Sequence, residues 1–166
     1  MIKHSNKIFQ ILFLLNLFLI LSCETRNNSE KSDKPEIKNE IISKQNNDIK
    51  KELDFLKTFN GRYPHEIKLF DSVVFTKRLE KLLGENEYNF LIKTWAVESP
   101  IEIDNNLFVA EACQVHNCSE TNFIIVFDFE KGKMHVGIRK ENDIKTFSED
   151  DILPSKVEEW KKKIDD

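Results

Sequence analysis

The stretch LFVAEACQVHNCSETNFIIVFDFEKGKMHVGIRK, residues 107–140, decides the fold of this chain. Residues 123–129 are a continuous apolar run apart from one aspartate, which indicates a strand buried on both faces. In residues 134–139, apolar side chains alternate with His, Gly and Arg, which indicates a half-buried strand. Cys113 and Cys118 precede the first of these strands, with a histidine between them. The stretch therefore predicts antiparallel strands interrupted by a short loop between two cysteines.

Two helices are predicted upstream of this stretch. Asp71 or Ser72 can cap a helix that runs to Leu83 with apolar residues at helical spacing, and Gly84 suits its C-terminal end. A second helix is predicted over residues 87–95, where apolar and aromatic side chains share one face. Both apolar stripes indicate contact with a hydrophobic core rather than a ligand site.

Further strands and a last helix flank the same stretch. Residues 101–103 and 107–112 are predicted to form a hairpin, and residues 143–147 a short last strand. Ser155 and Glu158 have the spacing of a capping box, which begins a C-terminal helix. This helix is predicted to dock through Val157, Trp160 and Ile164. The predicted fold class is α+β: an antiparallel β-sheet of about five strands with N-terminal helices and a C-terminal helix packed against it.

The N-terminus has the pattern of an export signal. A short basic head precedes the apolar residues 8–21, a run shorter than the ~20 residues that favour a membrane span. The run ends in ILSC, residues 20–23, which resembles the bacterial lipobox. That resemblance implies a lipoprotein signal peptide over residues 1–22 and lipid on Cys23, which would attach the protein to a membrane. An uncleaved anchor and an ordinary signal peptide are the alternatives.

Composition divides the rest of the chain into a tether and one domain. Residues 23–50 are rich in Asn, Ser, Lys and Glu with few apolar side chains, which predicts a disordered tether. Residues 51–166 are predicted to form a single α+β domain. The full chain has a net charge of −4. Removal of the leader would remove Lys3 and Lys7, so the mature chain would have a net charge of −6, all of it on residues 51–166. Such acidity argues against a nucleic-acid partner and is compatible with a cationic protein partner.

The three cysteines fit an exported lipoprotein. Lipidation of Cys23 leaves one pair, Cys113 and Cys118, which should be bridged in an oxidising compartment. Residue 24 is Glu24 rather than the aspartate that tends to retain lipoproteins at the inner membrane. The predicted location is therefore the bacterial cell envelope, lipid-anchored at the outer membrane.

A bridge between the two cysteines would close a small ring around His116. It would fix a hairpin-like bulge with Val115 and His116 near the tip, so that little ordering entropy remains to be lost on binding. An imidazole can donate to or accept from carboxylates, and it becomes cationic between two of them. The ring is therefore suited to block an acidic cleft in a partner protein.

Two other interpretations of the loop remain open from the residues alone. The first is a structural disulfide with an incidental exposed histidine. The second is a metal site of both cysteines and His116, with a fourth ligand that could only be guessed as His135 or His65. Because oxidation would remove both thiolates, no metal or other cofactor is predicted. The chain contains neither a C-x-x-C redox motif nor a phosphate-binding glycine pattern, and it is predicted not to be an enzyme.

The loop also resembles a known family signature. Residues 112–118, Ala-Cys-Gln-Val-His-Asn-Cys, are similar to the loop Cys-Lys-Pro-His-Asp-Cys of the inhibitor of vertebrate lysozyme (Ivy) family. The preceding alanine, the ring size, the histidine position and the following hydrophobic strand all match. Gln114 stands in place of lysine, Val115 in place of proline and Asn117 in place of aspartate.

This resemblance implies both a partner and a function. In that family the loop enters the lysozyme cleft, where its histidine meets two catalytic carboxylates, and some members also restrain lytic transglycosylases. The implied partner is a lysozyme-like glycoside hydrolase or lytic transglycosylase. The implied inhibitory loop is Gln114, Val115, His116 and Asn117. Some relatives pair, which leaves a homodimer open. The alternative function is a non-catalytic structural or assembly lipoprotein of the cell envelope.

Overall fold

The computed structural model describes residues 51–163. The predicted signal peptide, Cys23, the tether and Ile164 lie outside the described residues. Helices α1 to α3 are Val73–Leu83, Glu85–Thr94 and Ser155–Lys162. Strands β1 to β6 are Val97–Glu98, Glu102–Asp104, Leu107–Cys113, Thr121–Asp128, Lys133–Lys140 and Asp143–Ser148. Two short 3-10 helices, Asp54–Thr58 and Leu69–Asp71, precede α1.

All six strands belong to one antiparallel sheet. Its order is β1-β3-β4-β5-β6, and β2 pairs with the same edge of β3 as β1. The sequence predicted about five strands, and the α+β class with helices against an antiparallel sheet is confirmed. The strand that the sequence did not predict is β1, because its two residues show no alternation.

Helices α1 and α2 cover one face of the sheet. Ser72 caps α1 by accepting a hydrogen bond from the Phe75 amide, and Gly84 ends the helix with φ of 73°, as predicted. Helix α2 begins at Glu85, two residues before the predicted start. The buried side chains of this core include Phe75, Leu79, Leu91, Phe108, Phe123, Ile125, Phe127 and Val136.

Helix α3 covers the opposite face. Val157 and Trp160 are buried there against Val109, Ile124 and Val126. The Trp160 ring fills the space above Gly137 of β5, where an added Cβ would stand against the ring and 2.8 Å from Ile124 Cγ2. Glycine at this position therefore lets the indole approach the backbone of the sheet.

Two predictions about this face are wrong. Strand β5 is not half-buried, because α3 packs on the side where His135, Gly137 and Arg139 lie, and all three are buried. Ser155 does not form a capping box: the cap residue of α3 is Pro154, and no side chain caps the helix. Proline already fixes the extended backbone that precedes α3, so Ser155 occupies the first helical position instead.

The buried His135 makes stability depend on pH. Its Nδ1 lies 2.8 Å from Ser148 Oγ, and its Nε2 has no hydrogen-bond partner among the described residues. Burial lowers the pKa of His135 below its ordinary value of 6.5, although Asp150 acts in the opposite direction. The folded state therefore holds the imidazole neutral, while the unfolded chain takes up a proton near pH 6.5.

We expect the free energy of unfolding to fall as the pH drops from 6.5 through the folded-state pKa of His135. The unfolded state binds more protons in that window, so the slope from this group is at most about 1.4 kcal/mol per pH unit. Urea unfolding at several pH values between 5 and 8 measures it. The variant His135→Leu should lose stability at every pH but have a flatter profile below pH 6.5. An unchanged slope in this variant would contradict the assignment.

No helix between residues 51 and 163 is long and apolar enough to cross a membrane.

Candidate functional site

The cysteine ring lies where β3 passes into β4. Cys113 is the last residue of β3 and pairs with Asn122 of β4. A disulfide joins Cys113 to Cys118, with 4.8 Å between the two Cα atoms. Because β3 and β4 are two central strands of the sheet, the ring stands on a rigid base.

The tip of the ring is a single tight turn. The Asn117 amide donates to the Gln114 carbonyl oxygen at 3.0 Å, which places Val115 and His116 at the two central positions. His116 has φ of 60°, while Val115 has no positive φ, a combination typical of a type II turn. The structure therefore brings Val115 and His116 to the tip, where the sequence predicted them.

Asn117 holds the turn from within. Its Nδ2 donates to Gln114 Oε1 and to Thr121 Oγ1, both at 3.2 Å, and its backbone oxygen accepts from the Thr121 amide at 2.8 Å. A carboxylate at this position could accept hydrogen bonds but could not donate these two. The side-chain amide of Asn117 therefore donates one hydrogen bond within the ring and one to the start of β4, and an aspartate could donate neither.

His116 and Val115 face solvent. Val115 is 50 % exposed, and Gln114 and His116 are also exposed. The His116 imidazole has no hydrogen bond or ion pair with any other residue from 51 to 163. Both ring nitrogens can therefore bind a partner molecule.

The metal interpretation of the loop does not fit this geometry. The two sulfurs are bonded to each other, so neither can act as a thiolate ligand. Of the two guessed fourth ligands, His135 is fully buried, and the Nδ1 of His65 contacts Glu98 Oε2. Within the described part of the chain, no group of three or more His, Cys, Asp or Glu residues could hold a metal ion.

The family model described as "Inhibitor of vertebrate lysozyme (Ivy)" matches residues 74–165, which include all but the first residue of α1, the whole sheet and the ring. The chain belongs to the Ivy family. Membership implies lysozyme inhibition, and it agrees with the prediction that the chain is not an enzyme. Comparison of the chain with curated proteins and with solved structures found no match.

The Ivy match leaves one polar cluster beside the ring unexplained. His65, which the sequence offered only as a guessed fourth metal ligand, contacts the carboxylate of Glu98 on β1. The indole of Trp95 donates to the other oxygen of the same carboxylate. Sequence reasoning missed this cluster because 33 positions separate His65 from Glu98, and only the tertiary fold brings them together.

A proline at position 115 should stabilise the ring. The second residue of a type II turn has φ near −60°, which proline fixes, and the Val115 amide has no hydrogen-bond partner among the described residues. We expect Val115→Pro to raise the free energy of unfolding by about 0.4–1 kcal/mol, because it restricts the unfolded chain. Thermal unfolding measures the change, and Val115→Ala is the matched control for loss of the exposed side chain. A less stable proline variant would contradict the turn assignment.

Proposed function

We propose that this protein is an envelope lipoprotein that inhibits a lysozyme-like muramidase or lytic transglycosylase. The ring enters the acidic active-site cleft of the target and places His116 between its catalytic carboxylates. The single observation that carries this proposal is the exposed imidazole of His116, held on a disulfide-closed turn between two central strands. Ivy family membership supports a glycoside hydrolase as the partner.

The chemistry of the target explains why such a plug would inhibit. Glycoside hydrolysis of this type uses one protonated carboxylic acid and one carboxylate on either side of the scissile bond. An imidazole placed between these groups becomes cationic and pairs with both, so the acid is no longer available to protonate the leaving group. The ring also occupies the space that the sugar needs, which excludes substrate.

The rigidity of the ring supports tight binding. The turn is held by the disulfide and by the hydrogen bonds of Asn117, so few rotatable bonds remain to be ordered on association. Ordering of a flexible side chain costs about 0.5–1.5 kcal/mol, and a preformed ring avoids much of that cost.

The lipid anchor and tether would set where the inhibitor works. We propose lipidation of Cys23 and attachment at the outer membrane, with residues 23–50 as the tether. A segment of this length spans at most roughly 100 Å when fully extended. The domain could then meet enzymes that act on the cell wall beside the membrane. Replacement of Cys23 by serine should move the protein from the membrane fraction to the soluble fraction of the envelope.

The inhibitory function is tested with a cell-wall clearing assay. The purified protein is mixed with a panel of lysozymes and lytic transglycosylases, and the fall in turbidity of a cell-wall suspension is followed. We expect micromolar protein to slow at least one of these enzymes in a concentration-dependent way. If no enzyme of the panel is slowed, the inhibitor proposal fails, and a structural or assembly role in the envelope becomes the better account.

A further inference from the structure

The ring alone is small for a protein–protein contact. A stable interface buries roughly 800 Å² on each partner and involves about 20–30 residues a side. Only four residues, 114–117, lie between the two cysteines. An inhibitor that binds its enzyme stably therefore needs a second contact region close to the ring.

One edge of the sheet next to the ring presents such a region. Val97 of β1 pairs with Cys113, so β1 begins directly beside the ring. Val97 is 48 % exposed, and Tyr63 is also among the exposed large apolar side chains. The side chain of His65 is 69 % exposed, and its ring centroid lies 5.7 Å from that of Tyr63. We call Tyr63, His65 and Val97 the β1 edge patch.

His65 in this patch is held in one orientation by a buried carboxylate. The side chain of Glu98 is only 8 % exposed. Its Oε2 accepts from the His65 amide at 3.0 Å and contacts His65 Nδ1 at 2.6 Å, while its Oε1 accepts from Trp95 Nε1 at 2.7 Å. Glu98 itself pairs with Ala112, the residue before the ring. The position of His65 is thus linked to the base of the ring through one strand pairing.

This arrangement fixes the chemistry that His65 offers. A carboxylate only accepts hydrogen bonds, so Nδ1 of His65 carries the hydrogen and Nε2 points away from Glu98. The turn that carries His65 is itself closed by Glu66, whose Oε2 accepts from Arg62 Nε at 2.8 Å and from the Tyr63 amide at 3.1 Å. The imidazole is therefore an exposed but preorganised group, and little entropy is lost when Nε2 binds a partner.

We propose that the β1 edge patch is the second contact region of the inhibitory surface, and that His65 pairs through Nε2 with an acidic side chain at the rim of the target's cleft. This inference rests on the proposed function. A second carboxylate at Nε2 places the His65 ring between two negative groups, which favours the cationic form. Tyr63 and Val97 bury apolar surface against the same rim. The patch lies at the end of the sheet that carries the ring, so one enzyme can contact both.

The test compares affinities of the full-length protein and its variants for an enzyme that the wild type inhibits. His65→Gln keeps a polar side chain but cannot become cationic, and we expect its Kd to rise about tenfold. The ratio of variant to wild-type Kd should increase as the pH falls from 8 to 6. Val97→Ser should raise Kd several-fold. Val73→Ser is the matched control, because Val73 is 61 % exposed and lines a cavity with Lys133 at the other end of the sheet.

The outcomes separate this inference from the function on which it rests. If the wild type binds but His65→Gln and Val97→Ser both stay within twofold of its Kd, the patch is not part of the interface and the inference alone fails. If the wild type binds no muramidase or transglycosylase, the proposed function and the inference both fail. Thermal unfolding checks that each variant is folded. Amide hydrogen exchange of the wild type tests the patch without substitutions, since the amides of residues 63, 65, 66, 97 and 98 should gain protection in the complex.

Discussion

Replacement of His116 by glycine should remove inhibition while leaving the fold intact. We expect the inhibition constant to rise about 30-fold or more, which corresponds to the 2 kcal/mol of a residue that dominates an interface. The imidazole is the ring group that can pair with both catalytic carboxylates, and its loss leaves the tip with no basic side chain. The same turbidity assay, with the enzyme that the wild type inhibits, measures the change.

Glycine is the informative substitution because of the backbone at this position. His116 has φ of 60°, a left-handed conformation that costs an alanine roughly 1–2 kcal/mol and that glycine adopts without penalty. His116→Gly therefore removes the side chain without straining the turn, and its free energy of unfolding should stay within about 1 kcal/mol of the wild type. His116→Asn is a second variant that tolerates this conformation and keeps a polar group.

Two results would contradict the role of His116. If His116→Gly and His116→Asn both inhibit as well as the wild type, the plug mechanism is wrong even if the protein is an inhibitor. If only His116→Asn inhibits, a polar side chain at the tip is sufficient and the cationic form is not required. Gln114→Ala, at the neighbouring exposed position, serves as the control for general damage to the ring and should lose much less inhibition.

Replacement of Trp160 by alanine should cost more stability than any other single change considered. Trp160 is buried between α3 and the sheet, and truncation of a buried tryptophan typically destabilises by about 3–5 kcal/mol. The cost is large because Val157 is the only other fully buried apolar side chain of α3 within the described residues. Urea unfolding gives the free energy from the midpoint and slope of the transition.

A double-mutant cycle with Gly137 tests the contact itself. Gly137→Ala alone should destabilise by about 1–3 kcal/mol, because its methyl group meets the Trp160 ring and Ile124. In the Trp160→Ala background the same methyl group enters the vacated space, so its cost should shrink or reverse. Trp95→Ala is the matched control, since Trp95 packs on the opposite face, and there the cost of Gly137→Ala should be unchanged. Additive effects of Gly137→Ala and Trp160→Ala would show that the two residues do not interact.

Much of the fold could be predicted because its signals are local. The cap at Ser72 and the glycine at position 84 act on the backbone beside them, so α1 has the predicted bounds. The hairpin between β2 and β3 turns at Asn105 and Asn106, both with positive φ, as asparagine tolerates. The ring was predicted for the same reason, since its two cysteines are only five positions apart.

Other features depended on segments that are far apart in sequence. The alternation of β5 indicated one exposed face, yet α3 packs on that face over Gly137, and His135 and Arg139 on the same face are also buried. The sequence of residues 134–139 contains no signal that a helix beginning at Ser155 packs against that face of β5. The short β1 is likewise formed only because β3 offers an unpaired edge beside Cys113.

The sequence by itself determined the α+β class, the central buried strand β4, and a cysteine-closed loop with His116 at its tip, which placed the chain near the Ivy family. These follow from periodicity, turn residues and spacing, each of which acts over a few residues. Only the tertiary structure decided which surface surrounds that loop. It set the indole of Trp160 over Gly137 and joined His65 to Glu98, because packing and the satisfaction of a buried carboxylate bring distant residues together.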